Sequence, residues 1–309
     1  MGGTRPRRLR SRHTIFRALV TALFILTLGP GHSARAGVVT TLADSGAGSL
    51  RQVIFDAVAG ETITFNAGLS GGTITLGGTE LGIGKNLVID ASALAKPVTI
   101  SANQASRVLS SGTTSLTLNN LTLTNGISTE NGGGIYFTTG TLNLIDCTVS
   151  SCSSDKRGGG IYSSGVLNLT RSTVTNNTST NIGAGICTDF PAITLKNSTV
   201  AGNVSANDGG GIFTFGTLIL ESSTISGNTG VKGGGIYGQA STLTIKNTII
   251  AANSATFTAT DIFLSGGTTT SQGGNLIGDN NGASGQFLTG SPNANTDFVG
   301  SVSAKLNPQ

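Results

Sequence analysis

The sequence predicts an all-β fold, a single-stranded parallel β-helix closed at its N-terminal end by a short capping helix. Three observations predict it. A GGGI block recurs at a nearly constant step, apolar residues between the blocks alternate in pairs, and asparagines fall into a column when the repeats are laid over one another.

The blocks read GGGIY at Gly132 and Gly158, GAGIC at Gly183, GGGIF at Gly209 and GGGIY at Gly233. Their isoleucines, at positions 135, 161, 186, 212 and 236, are separated by 26, 25, 26 and 24 residues. A step that steady marks stacked copies of one supersecondary unit. Between the blocks, Leu142 and Leu144, Leu167 and Leu169, Ile193 and Leu195, Leu218 and Leu220, and Leu243 and Ile245 each bracket one outward residue. Five positions further on stand Val149, Val174, Val200, Ile225 and Ile250, flanked by Thr, Ser or Ala. A period of two belongs to strands with one buried face, not to helices. About 25 residues per copy suits one coil of a β-helix and is too short for a propeller blade of about 40 to 45.

The elements follow in order. Residues 1–36 read as a secretory signal peptide: arginines at 5, 7, 8, 10, 12 and 17, an apolar run from Ala18 to Leu28, then Ala34-Arg35-Ala36 before Gly37. That run is too short to span a bilayer, so no transmembrane helix is expected in the mature chain. Residues 37–60 form the N-terminal cap. Within it Leu50, Val53, Ile54, Ala57 and Val58 make one apolar helical stripe, Ser49 and Gln52 make a capping box, and Gly60 stops the helix. Such a plug covers the first coil, whose open edge would otherwise template aggregation. Residues 61–289 supply about nine coils at about 25 residues each. Residues 290–309 are left as a C-terminal tail.

Stacked coils bring equivalent residues within about 4.8 Å of one another. Asn177, Asn203, Asn228 and Asn253 then form an amide ladder, with Cys152 in the same slot one coil earlier. The apolar-x-x-Asn elements Val174–Asn177 and Ile225–Asn228, together with the GGGI blocks, resemble the GGAI and FxxN repeats of the polymorphic outer-membrane proteins. The opening run Asp44 to Gln52, DSGAGSLRQ, is similar to the CSLREA-type N-terminal segment of secreted bacterial β-helix proteins, with Gly48 in place of the Cys. GGNLIG at Gly273–Gly278 resembles the last coils of that group. The resemblance, over roughly Asp44 to Gly278, implies a right-handed, pectin-lyase-like solenoid that is exported to the extracellular space or the outer membrane. It further implies an anchoring segment beyond the tail, which makes the tail a truncated end. It implies no chemistry.

Charge and composition exclude several functions. The segment 1–36 carries seven of the 18 basic residues and none of the 14 acidic ones, so the remainder has 11 basic against 14 acidic residues, a net charge of −3. No basic face for nucleic acid is expected. Both histidines, His13 and His32, also lie in that segment, and the chain has no Trp. Without imidazole, Ser-His-Asp and Cys-His catalysis and His-ligated metal sites are removed. No catalytic residue, metal or cofactor is therefore assigned.

The candidate binding residues are an aromatic stripe, Tyr136, Tyr162, Phe213 and Tyr237, with Cys187 between them. Their aliphatic neighbours point inward, which turns the rings outward. An exposed stripe would stack on surface glycans or on proteins of a host or neighbouring cell; the alternative is packing between coils. Asp146, Arg171, Lys196, Glu221 and Lys246, at a constant step of 25, read as one surface column of mixed sign. Thr122, Thr148, Thr173, Thr199 and Thr224, beside Thr124, Ser150, Thr175, Ala201 and Ser226, make a hydroxyl array of the kind seen on ice-binding solenoids, or simply good strand sequence. Cys147, Cys152 and Cys187 read as small buried thiols. The functional expectation is a monomeric, non-catalytic adhesive or structural surface. The alternatives are a β-helix polysaccharide lyase or glycoside hydrolase, which needs three ionisable residues in one groove, and ice binding.

Overall fold

The structure is a computed structural model that describes residues 1–3, 37–113, 115–290, 292–301 and 303–306. The signal-peptide reading falls almost wholly on residues outside these. The solenoid falls within the unit Ala34–Gln309, its strand pairing running from Gly37 to Val299. It is all-β and parallel, apart from the helix Leu50–Asp56 and one 3-10 turn at Ala67–Leu69. Among the described residues no helix is long and apolar enough to cross a membrane.

Each full coil contributes up to four short strands, and each strand pairs in register with its counterparts above and below. In the coil that begins at Ile161 these are Ile161–Ser163, Val166–Thr170, Thr173–Thr175 and Thr178–Ser179. They belong to four ladders: an aromatic ladder through Tyr162, a leucine ladder through Leu167 and Leu169, a valine ladder through Val174, and a corner ladder through Ser179. The valine ladder has ten strands, from Thr73–Thr75 to Phe298–Val299, so the solenoid makes about ten turns. Pairing begins at Gly37–Val39 against Ile63–Phe65, inside the segment assigned to the cap, and ends at Phe298–Val299, inside the segment assigned to the tail. Three-residue and two-residue strands carry too few alternating positions to show up as a period in sequence.

Alternation puts one side of every strand inside. Leu142, Leu167, Ile193, Leu218 and Leu243 from one ladder and Val149, Val174, Val200, Ile225 and Ile250 from another are buried together with Ile135, Ile161, Ile186, Ile212 and Ile236 from the third. Each such side chain contributes about 1.5–3 kcal/mol on leaving water.

The GGG block has three separate causes. Gly158 has φ +65°, a left-handed turn that L side chains avoid. A Cβ on Gly159 would lie 2.0 Å from the Thr178 carbonyl oxygen, and one on Gly160 would meet the Asn177 side chain. The third glycine thus leaves room for the asparagine ladder.

That ladder is continuous and directional. Nδ2 of Asn177, Asn203 and Asn228 donates at 2.9 Å to Oδ1 of the asparagine one coil further on, which also accepts the backbone N–H at 3.0 Å. Cys152 opens the series, its N–H donating to Asn177 Oδ1 at 3.0 Å. A second ladder runs alongside: the N–H of Cys147, Ser172, Ser198 and Ser223 donates to the hydroxyl one coil on, and Thr248 N–H to Asn275 Oδ1. Both ladders end on a carboxylate, Asp261 for the first and Asp297 for the second.

At the N-terminus, Ser49 Oγ accepts the Gln52 N–H, while the Gln52 side chain turns to Asp56 instead of closing a reciprocal capping box. Leu50, Ile54 and Ala57 of the stripe are buried; Val58 is exposed beyond the helix end. Lys85 Nζ donates at 2.6 Å to the carbonyls of Phe55 and Ala57, a cation placed where the helix leaves its last acceptors open.

The charged column divides in two. The coil between Leu169 and Leu195 holds 26 residues, so Lys196 pairs with Thr170 and not with Arg171. Asp146 and Arg171 sit at a left-handed corner and form a bidentate pair at 2.7 Å, whereas Lys196 and Glu221 pair at a strand end at 3.1 Å. A step of 25 carried across a 26-residue coil joined two different columns. The threonine and serine rows, by contrast, are in register from Thr122 to Thr224.

Candidate functional site

The aromatic ladder places its side chains on the outside of the strands but not in water. Tyr162, Phe213 and Tyr237 are 6, 4 and 9% exposed, and with buried Cys187 they form a second apolar cluster separate from the core. Tyr136 alone of the four candidate rings is half-buried. The expectation of an open stripe is corrected for the other three. The rings stack on each other, Tyr136 on Tyr162 at 5.5 Å and Phe213 on Tyr237 at 4.8 Å, and loop residues such as Phe215 close over them. Stacking at the spacing of the coils buries most of each ring's faces.

Tyr162 is further tied down. Its hydroxyl donates to Asp189 Oδ2 at 2.5 Å, Ser164 donates to the same oxygen, and Arg157 pairs with the other at 3.3 Å. Burial first, and the Asp189 hydrogen bond second, push the Tyr162 phenol up to about 12. Such a phenol donates and does not abstract protons at neutral pH.

The row opens at its N-terminal end. In register with Tyr136 the preceding coils carry Ser110 and then Gly82, so the aromatic shelf stops and a groove begins. Two adjoining depressions, of about 270 and 410 Å³, share Gly82 and Gly84 and run from the capping helix to Tyr136 and Thr138. At the helix end stands Phe55, 76% exposed.

A polar strut crosses the groove. Glu80 accepts Ser110 Oγ at 2.6 Å on one oxygen and pairs with Arg107 on the other. Arg107 also donates from Nε to the Gly132 carbonyl at 2.6 Å and from Nη2 to Ser128 Oγ and the Asn131 carbonyl, and its guanidinium lies 5.0 Å from the centre of the Tyr136 ring. Arg51 Nη1 donates to the Glu80 carbonyl at 2.8 Å while its other nitrogens hold Asp44. Three ionisable side chains therefore line the two depressions, Arg51 the first and the Glu80–Arg107 pair the second. Each is matched by a partner, and a guanidinium is not deprotonated in a protein.

The sequence reading missed this groove. Apart from Tyr136 and Thr138 its residues come from coils without a GGGI block, and the informative signal was a gap, Gly82 and Ser110, in a column that further on is aromatic but for Cys187.

The three thiols are unpaired and buried. Burial pushes Cys147 and Cys152 up to about 12, and raises Cys187 as well. Among the described residues no group of three or more His, Cys, Asp or Glu is placed to hold a metal ion. In comparisons with family models, with curated proteins and with solved structures, nothing matches this chain.

Proposed function

We propose that this is an exported, non-catalytic β-solenoid, extracellular or outer-membrane associated, that holds an extended surface glycan in the groove between the capping helix and Tyr136. The groove carries the proposal: it ends against the Tyr136 ring, and its carboxylate, guanidinium and Ser110 hydroxyl are fixed in place before any ligand arrives. Preorganised polar groups beside an aromatic edge are the chemistry that orients a polyhydroxylated chain, because little side-chain entropy remains to be lost on binding. The earlier stripe contributes its first ring only, with Tyr162 stacked behind Tyr136, while Phe213 and Tyr237 stack on each other beyond Cys187.

Binding to a glycan array, followed by calorimetry on the best ligand, tests this with the wild type, Tyr136→Ala and Glu80→Gln. A loss of roughly tenfold or more in both variants, about 1.4 kcal/mol, is expected. No glycan bound by the wild type, or binding unchanged in both variants, overturns it.

The Glu80–Arg107 pair, with Arg51 in the adjoining depression, favours a second reading, a polysaccharide lyase or glycoside hydrolase. A turnover screen on uronides and neutral glycans separates the two: product release that disappears in Glu80→Gln replaces the binding role, and a silent screen removes the enzyme.

A further inference from the structure

We propose that the C-terminal end of the solenoid is an acid-tightened latch, in which buried Asp261 lies beside a second buried carboxylate, Asp279, that is paired with Lys305, and takes up a proton as the surroundings acidify.

The asparagine ladder dictates the first carboxylate. Asn253 presents two donors to the next position, its N–H at 3.0 Å and its Nδ2 at 2.8 Å, and both fall on Asp261 Oδ1. A carboxyl oxygen accepts both with no amide of its own left over, whether or not the other oxygen carries a proton. The other oxygen, Oδ2, accepts the Asp279 N–H at 2.7 Å. Asp261 is 2% exposed, and so is Asp279.

The second carboxylate brings a counter-charge. Asp279 Oδ2 accepts Thr260 Oγ1 at 3.0 Å and pairs with Lys305 Nζ at 3.3 Å, and the neighbouring Leu306 N–H donates to the Gly278 carbonyl at 3.0 Å. The segment carrying Lys305 is thereby pinned across the last coils. The titratable groups facing Asp261 are Asp279 directly and Lys305 beyond it; Asn253, Thr260 and Gly278 are uncharged. With both acids ionised, the cluster holds two negative charges against one positive, and the surplus is out of water, where an unbalanced charge is costly.

One proton removes the surplus. Burial raises the Asp261 carboxyl from its ordinary 3.8 to about 6, against the pull of its Asn253 hydrogen bonds. The sign follows: a carboxyl raised in the closed state favours closure fully below its ordinary value, and that contribution is lost as pH rises through about 6. A shift of that size corresponds to a change of up to roughly 100-fold in the opening constant.

Two measurements on the full chain test the latch: carbon-detected NMR titration of the Asp261 carboxyl, and hydrogen exchange at the amides of Leu276, Gly278 and Asn280, corrected for intrinsic rates, between about pH 5 and pH 8. In the wild type the carboxyl is expected to titrate near 6, with opening more frequent at the higher pH. Asp261→Asn abolishes the pH dependence of opening, and Lys305→Met, which keeps both acids and removes the ammonium, moves the titration upward. A wild-type midpoint below about 4.5, near the ordinary carboxyl range, overturns the proposal. So does pH dependence that survives in Asp261→Asn. If that variant does not fold, an unmoved midpoint in Lys305→Met overturns it instead.

Discussion

A Cβ on Gly160 would stand 2.8 Å from Asn177 Nδ2 and 2.7 Å from the Gly185 carbonyl oxygen, so the third glycine of the repeat and the asparagine of the ladder occupy one shared space. Gly160→Ala forces the ladder amide or the adjoining coil to move. The expected cost is about 1–3 kcal/mol, the range for overpacking a close-fitting interior, measured by urea denaturation. A loss under about 0.5 kcal/mol, typical of an open surface site, would show that the coil has slack at this place.

Asn203 is fully buried and its Nδ2 donates to both the Val174 carbonyl and Asn228 Oδ1. Asn203→Ala takes the shared acceptor from the Asn177 N–H and Nδ2 and leaves Asn228 Oδ1 with the backbone N–H alone, at an expected cost of about 1–3 kcal/mol. Asn203→Asp should be at least as harmful at neutral pH, since its carboxylate meets the Asn228 oxygen where a donor is needed. Thermal unfolding of both variants checks this.

Tyr162→Phe removes the hydroxyl that donates to Asp189 and keeps the ring in the stack. A loss of about 1–3 kcal/mol is expected for a hydrogen bond to a charged acceptor, with glycan binding unchanged, because the ring lies behind Tyr136. The wild type should also lose stability as pH rises from the ordinary tyrosine value of 10.0 toward about 12, where the phenol finally ionises in the folded chain. Tyr162→Phe should lose less over the same interval, which unfolding curves at stepped alkaline pH will show.

The buried thiols predict a reactivity contrast. With Cys147 and Cys152 held at about 12, a disulfide reagent at neutral pH should label neither in the folded chain and all three cysteines once the chain is unfolded. Rapid labelling under native conditions would mean that the coils around them open often.

The coils, their register and both the GGGI and asparagine columns were legible because each is repeated, and repetition exposes which positions cannot vary. Register is also where the reading failed. The Asp146 and Lys196 positions were joined because the count ignored one extra residue in the coil carrying Asp189–Pro191, and a single residue moves a side chain to another column. Packing of the aromatic rings between coils was one of the two readings the column allowed, but what seals them was not legible: Phe215 and Asp189, which close over Phe213 and Tyr162, come from non-repeating turns. Asp261 was hidden for a related reason. It follows Asn253 by eight residues instead of a full coil, so no period pointed to it.

The asparagine ladder gives each coil a polarity, accepting on one side and donating on the other, with a thiol at the beginning and a carboxylate at the end. Any interior coil can therefore be copied or excised as a unit and its neighbours will still meet donor to acceptor. Duplication past Asp261 has no such freedom, because the next amide would find no donor waiting. Length in this molecule is open to change by whole turns in its middle and closed to it at one end.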